Sequence, residues 1–161
     1  MKIAQINTGF SEVPNKISLN IFVQGCSLNC PGCQNPELHD PTGGEEFSPN
    51  EILNIIKNKS FFNYVCWLGG EPLQQLEDLV ATNKLLTPIY KNVACYTGYY
   101  LNEILDPKLF NQDLITEFLD NITLLKCGRW NGNVLGTKDS NQKFFYIING
   151  NPILREEKLK C

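Results

Sequence analysis

The sequence lacks most of the features that assign a protein quickly. It has one histidine, His39, among 161 residues, so no site built on several imidazoles is available. It has no surplus of positive charge. The formal net charge is −3, whereas a dedicated nucleic-acid binder shows a basic excess. No apolar run approaches the roughly 18 residues of a membrane span, and no charged-then-apolar start directs export. The ending Lys158-Leu159-Lys160-Cys161 lacks the lipidation pattern that places cysteine four from the end. There is no internal repeat and no low-complexity tract. These absences give the expectation of a cytoplasmic protein, a single domain over residues 1–161, that binds neither nucleic acid nor membrane. A chain of this size buries about 68–70% of its extended surface, enough for a proper core.

Cysteine, by contrast, is plentiful, with seven in the chain. In a reducing compartment disulfides are not expected. Cys66 and Cys95 sit among apolar neighbours and read as small buried hydrophobes, while Cys127 and Cys161 carry no assignment. The remaining three fall in "FVQGCSLNCPGCQN" as Cys26, Cys30 and Cys33, spaced CxxxCxxC. Three thiolates are one short of a closed four-ligand site. Such a trio suits an iron–sulfur cluster with one iron left open to a small molecule. The competing reading is a structural zinc site of three cysteines completed by His39.

Short apolar runs mark strands. "ISLNIFV" (17–23) alternates, with Ile17, Leu19, Ile21 and Val23 on one face. "YVCWL" (64–68), "NVACYT" (92–97), "ITLLK" (122–126) and "FFYII" (144–148) are nearly continuous, as in parallel strands buried on both faces. Between them lie helical patterns, one opened by Ser48-Pro49-Asn50-Glu51, a capping box with proline in the first turn, and carried on by Ile52, Leu53, Ile55 and Ile56, the others at about 73–87 and 111–120. Strands alternating with helices predict a largely parallel sheet. A complete eightfold barrel takes about 250 residues. The expected fold is therefore α/β, an open or partial TIM-like β/α barrel of about five or six mostly parallel strands.

Ligands of such folds gather at the carboxyl ends of the strands. The cysteine loop follows one strand directly, "LGGEP" (68–72) the next, "TGY" (97–99) the third and "CGR" (127–129) the fourth. Gly69 and Gly70 let backbone approach a ligand unobstructed, so their polar groups suit the ammonium of an amino-acid-like ligand. Glu71 either holds the turn or helps neutralise that ammonium. Glycine-rich loops on successive strand ends are not required by structural zinc, which turns the balance toward the cluster.

Together these motifs resemble the radical S-adenosylmethionine superfamily. The usual aromatic residue before the third cysteine is Gly32 here, and "GCxxxCPGCxN" is similar to the small activating proteins of anaerobic ribonucleotide reductase. "YTGYYLNEIL" (96–105) and "GTKDSNQ" (136–142), with Ser140-Asn141-Gln142 the clearest match, resemble segments of that group. Cys127-Gly128-Arg129 departs from its Asp-Gly-Lys. The resemblance implies a [4Fe-4S] cluster on Cys26, Cys30 and Cys33 and S-adenosyl-L-methionine on the open iron. It implies backbone of Gly32 and Gln34 beside both cofactors, Gly69, Gly70 and Glu71 at the methionine amine, and Thr97 and Gly98 bordering ribose or adenine. Asn35 either orients the cluster loop or forms a turn before Pro36. The implied reaction is reductive cleavage of S-adenosylmethionine, followed by hydrogen-atom abstraction from a glycine of anaerobic ribonucleoside-triphosphate reductase. A separate one-electron donor is implied as well. No side chain is then a catalytic acceptor, and the open barrel side admits a protein substrate. The alternatives are an activator of the pyruvate formate-lyase type, a carboxy-deazaguanine synthase type acting on a small molecule, and a non-enzymatic zinc-binding interaction module.

Overall fold

The structure is a computed structural model that describes residues 1–133 and 139–154. Gly136, Thr137 and Lys138 of the late segment, and Lys158 to Cys161, lie outside the described residues. One sheet holds eight strands: β1 (Lys2–Gly9), β2 (Ser18–Val23), β3 (Glu45–Glu46), β4 (Tyr64–Gly69), β5 (Val93–Thr97), β6 (Leu124–Cys127), β7 (Lys143–Ile148) and β8 (Asn151–Leu154). Their order is β3-β1-β2-β4-β5-β6-β7-β8, and its two ends do not pair. The sheet is open, as expected of a partial barrel. Only the central β2, β4, β5 and β6 are parallel. Antiparallel strands flank them on both sides.

Two expectations need correction. The strand count was too low, and residues 144–148 form the antiparallel β7 rather than a further parallel strand. A parallel neighbour needs a crossover of a dozen or more residues, usually helical, and no helix lies between β6 and β7 among the described residues. β7 then turns into β8 through Asn149 and Gly150, whose φ values are 50° and 72°. Asn-Gly is the preferred two-residue hairpin turn because both central positions need positive φ. That signal stood in the sequence and would have revealed β8.

Among the described residues α1 (Pro49–Lys57), α2 (Leu76–Leu86) and α4 (Gln112–Asp120) follow the sequence pattern, and the short α3 (Leu101–Ile104) was not expected. The capping box forms as expected, with Ser48 N–H donating to Glu51 Oε2 at 2.8 Å. Asn111 caps α4, its Oδ1 accepting from the N–H groups of Asp113 (2.9 Å) and Leu114 (3.3 Å). α2 begins later than expected because Pro72–Gln75 forms a 3-10 turn of its own, capped by Glu71.

Strand alternation sorts the core into two layers. Leu19, Ile21 and Val23 are fully buried in the main core, which also takes Ile52, Ile56, Leu79, Leu86, Ile115 and Phe118 from the helices. Burying one such side chain is worth about 1.5–3 kcal/mol. A smaller cluster holds Val13, Cys66, Ala94, Leu124 and Phe144. Cys66 and Cys95 are both fully buried, as their apolar surroundings implied. The parallel register, with Val23 beside Gly69 and Thr97 beside Cys127, brings the loops after β2, β4, β5 and β6 to one edge of the sheet.

Candidate iron–sulfur site

Those four loops line one cleft, and every site residue singled out from the sequence borders it except Gly32. The cysteine loop is held by its own main chain. Gly25 N–H donates to Leu38 O (2.9 Å), Cys26 N–H to His39 O (3.2 Å) and Cys33 N–H to Cys30 O (3.1 Å). Gln24 Nε2 donates to Asp40 O at 2.7 Å and anchors the far end of the loop. Gly32 instead has φ of 67° and turns the chain where an L side chain would be strained. Its carbonyl accepts from Trp130 Nε1 at 2.8 Å, tying the cysteine loop to the loop after β6.

The donor chemistry suits an iron–sulfur cluster. Cys26, Cys30 and Cys33 all reach the cleft as free thiols. Asn35 N–H donates to Cys33 Sγ at 3.4 Å, the kind of contact that tunes a cluster's potential. The Asn35 side chain makes no cap bond, so its contribution is main-chain and turn-forming. Burial raises the Cys26 pKa, and Glu71 and the other two cysteines add to that. Among the described residues, no three His, Cys, Asp or Glu side chains stand close enough to hold a single metal ion. A zinc site would need its sulfurs about 3.8 Å apart, given Zn–S bonds of about 2.3 Å in a tetrahedron. A cubane spreads its thiolates over separate irons. His39 does line the cleft, with Nε2 buried and unpartnered.

The glycine pair does more than clear space for a ligand. A Cβ on Gly70 would overlap Gly25 O, and one on Gly69, at φ 106°, would meet Phe22 Cα at 2.8 Å. Gly70 N–H donates to Val23 O and Glu71 N–H to Gly25 O, both at 2.8 Å. With those donors taken, the groups this turn offers an ammonium are acceptors.

Glu71 is buried, with 1% exposure, and its side chain ties the turn after β4 to the end of β5. Its Oε1 accepts from Leu73 N–H (2.9 Å) and Thr97 Oγ1 (2.7 Å), and its Oε2 from Gly98 N–H (2.7 Å). One lone-pair position remains on Oε2, since a carboxylate offers about four. Burial pushes the carboxyl up to about 7, against the three hydrogen bonds and Arg129, which pull it down. Thr97 and Gly98 therefore border the cleft with their hydroxyl and N–H already engaged.

Three contributors escaped the sequence reading. Arg129 donates to Gly98 O (2.6 Å), pairs with Glu103 (2.6 and 3.0 Å), and lies over the rings of Tyr99 and Tyr100. It fixes the loop after β5 instead of lining the cleft. Gln74 Nε2 bridges Ser27 Oγ (2.6 Å) and Tyr99 Oη (3.2 Å). Trp130 is the third. Its only sequence signal was an aromatic residue beside the Cys-Gly-Arg segment.

The model of the 4Fe-4S single cluster domain matches residues 16–143. The chain belongs to that family. Its resemblance to the radical S-adenosylmethionine activating enzymes stands, and with it the pair of cofactors, a [4Fe-4S] cluster and S-adenosylmethionine. The pyruvate formate-lyase-activating enzyme of Clostridium pasteurianum is 37% identical over 70 residues, 40% of this chain and 29% of that protein. The anaerobic ribonucleoside-triphosphate reductase-activating protein of Escherichia coli K12 is 29% identical over 111 residues, 62% of this chain and 70% of that protein. The crystal structure of QueE from Escherichia coli superposes with a TM-score of 0.51 at 18% identity, over 60% of this chain and 52% of that one, and shows the fold alone. The match thus spans under a third of the first relative's length. No helix of the described residues is long and apolar enough to cross a membrane.

Proposed function

We propose that this chain activates a glycyl-radical enzyme, and that its protein substrate is an anaerobic ribonucleoside-triphosphate reductase. The observation that carries the choice of partner is coverage. The alignment extends over 70% of the reductase-activating relative but 29% of the pyruvate formate-lyase-activating one. Cys26, Cys30 and Cys33 would hold the cluster, and one iron would have no protein thiolate. When bound, the cluster and S-adenosylmethionine supply the one-electron chemistry that removes a hydrogen atom from a glycine Cα.

The chain's own residues bind and orient. Carbonyls of the Gly69-Gly70 turn and the remaining lone pair of Glu71 Oε2 accept from the methionine ammonium. Main chain at Gln34 stands beside the cluster. Gly32 acts at a distance, through the Trp130 bond that fixes the loop. Thr97 and Gly98 shape the wall beside the nucleoside. The open sheet leaves a side through which a partner's glycine segment enters, and a separate reductant supplies the electron.

The test is to reconstitute the protein anaerobically, reduce it, and add S-adenosylmethionine with the reductase from the same genome. The expected result is a glycyl radical on the reductase, read by electron spin resonance, with methionine formed alongside. A radical on pyruvate formate-lyase and none on the reductase would support the second reading, which the 37% identity to that activating enzyme favours. Colourless protein with tightly held zinc would reject both.

A further inference from the structure

One partly buried cation in the cleft has no part in the chemistry above. Lys126, on β6, lines the cleft and is the only lysine or arginine among the described residues to do so. Its ammonium sits 4.8 Å from the centroid of the Tyr96 ring. It makes no ion pair among the described residues. Burial lowers its pKa, with the Cys66 thiol acting weakly the other way. A partly buried ammonium without a carboxylate carries a desolvation cost, and such costs gather at functional sites.

Beside it stands Gln142, just before β7 and also lining the cleft. Its Nε2 donates to Gly128 O at 3.4 Å. Exchanging the two ends of the amide would set oxygen against oxygen, so Oε1 is the free end. That oxygen is buried and has no partner. Among the described residues, this wall of the cleft thus holds one spare donor and one spare acceptor.

Lys126 stands on β6 and Gln142 directly before the neighbouring β7, on the wall of the cleft that the cysteine loop and the Gly69-Gly70 turn also line. A glycine presents no side chain to recognise. It is read through its peptide groups, each with one N–H donor and one carbonyl acceptor.

We infer that Lys126 and Gln142 form a main-chain clamp for the incoming glycine segment, the Lys126 ammonium donating to a peptide carbonyl and Gln142 Oε1 accepting from a peptide N–H. This rests on the proposed function, because it takes the substrate to be a protein. The S-adenosylmethionine molecule itself is the competing occupant, and the test separates the two.

Lys126→Met and Gln142→Leu are compared with the native protein in two binding measurements under anaerobic conditions. One is the dissociation constant for the partner reductase at saturating S-adenosylmethionine, by biolayer interferometry. The other is the dissociation constant for S-adenosylmethionine alone, by equilibrium dialysis. Hydrogen bonds to a charged group are worth about 1.5–3 kcal/mol, so Lys126→Met is expected to weaken reductase binding about tenfold or more. Gln142→Leu is expected to weaken it about fivefold, as for a neutral bond of roughly 1 kcal/mol. In each variant the loss for the reductase exceeds that for S-adenosylmethionine at least fivefold. An equal or larger loss for S-adenosylmethionine overturns the clamp, as does unchanged reductase binding. A native protein that cleaves S-adenosylmethionine yet neither binds nor activates the reductase overturns the proposed function, and the clamp with it. Lys126→Met breaks no ion pair among the described residues, and Gln142→Leu gives an independent second reading.

Discussion

Replacing Glu71 by Gln tests whether this buried carboxyl is chiefly a tether. In the native chain it accepts three hydrogen bonds, two at Oε1 and one at Oε2. A glutamine keeps the pair at Oε1, but its amide NH2 replaces Oε2 and faces Gly98 N–H across 2.7 Å. Two donors then oppose each other. Losing one bond and stranding a buried N–H costs about 2–3 kcal/mol. With a urea m-value of about 2 kcal/mol/M, the unfolding midpoint of cluster-free protein at pH 5 should drop by about 1–1.5 M. The pH dependence gives a sharper reading. Burial raises the folded carboxyl from 4.5 to about 7. A raised pKa means the folded state keeps its proton while the unfolded chain loses it. The native protein therefore has its full Glu71 stability below pH 4.5 and loses it as pH rises through about 7. The loss is on the order of 3 kcal/mol over that interval. The substituted glutamine does not titrate, so the deficit of the variant should shrink between pH 5 and pH 8. Equal midpoints at pH 5 would refute the tether. A deficit that widens with pH would show that the three hydrogen bonds outweigh burial and that the carboxylate folds ionised.

Gly70→Ala should lower the iron and sulfide bound per chain after reconstitution, because its Cβ overlaps Gly25 O and displaces the cysteine loop; normal iron content would contradict that packing. Trp130→Phe removes the donor to Gly32 O at a cost of about 1 kcal/mol in urea unfolding, and the cluster should bleach faster in air. Cys30→Ala should abolish the brown colour and S-adenosylmethionine cleavage, whereas Cys66→Ala, in the smaller core cluster, should retain iron and lose only about 1 kcal/mol of stability.

The parts of the molecule that were legible in the sequence are those set by neighbours along the chain. Ser48 to Glu51 forms its capping box from residues three apart. The alternation of Leu19, Ile21 and Val23 fixes which face of β2 meets the helices. Cys26, Cys30 and Cys33 are gathered by one short loop, and the parallel order of β2, β4, β5 and β6 carries three further loops to the same edge. The antiparallel return of β7 was not legible from its apolar run, because direction is decided by the connection and not by the strand. The bonds that brace the site were hidden for a related reason. Trp130 meets Gly32 across 98 positions, Gln74 meets Ser27 across 47, and Arg129 meets Glu103 across 26. No local pattern marks such pairs, since their partners are chosen by which strand ends the topology sets side by side.

The Gly69-Gly70-Glu71 turn has a packing role that its sequence reading did not contain. From the sequence, the glycines clear a path for a ligand and the glutamate awaits a charge. In the fold, the same absence of Cβ lets the end of β4 press against Phe22 and Gly25, and most of the glutamate's acceptors are spent on Leu73, Thr97 and Gly98. The two uses are compatible because they call on different atoms: N–H groups and Cβ positions serve the packing, and the proposed ammonium contact would use carbonyls and one lone pair. An ammonium needs only acceptors. The turn can therefore be rigid before any ligand arrives, and rigidity of that kind reduces the ordering cost of binding.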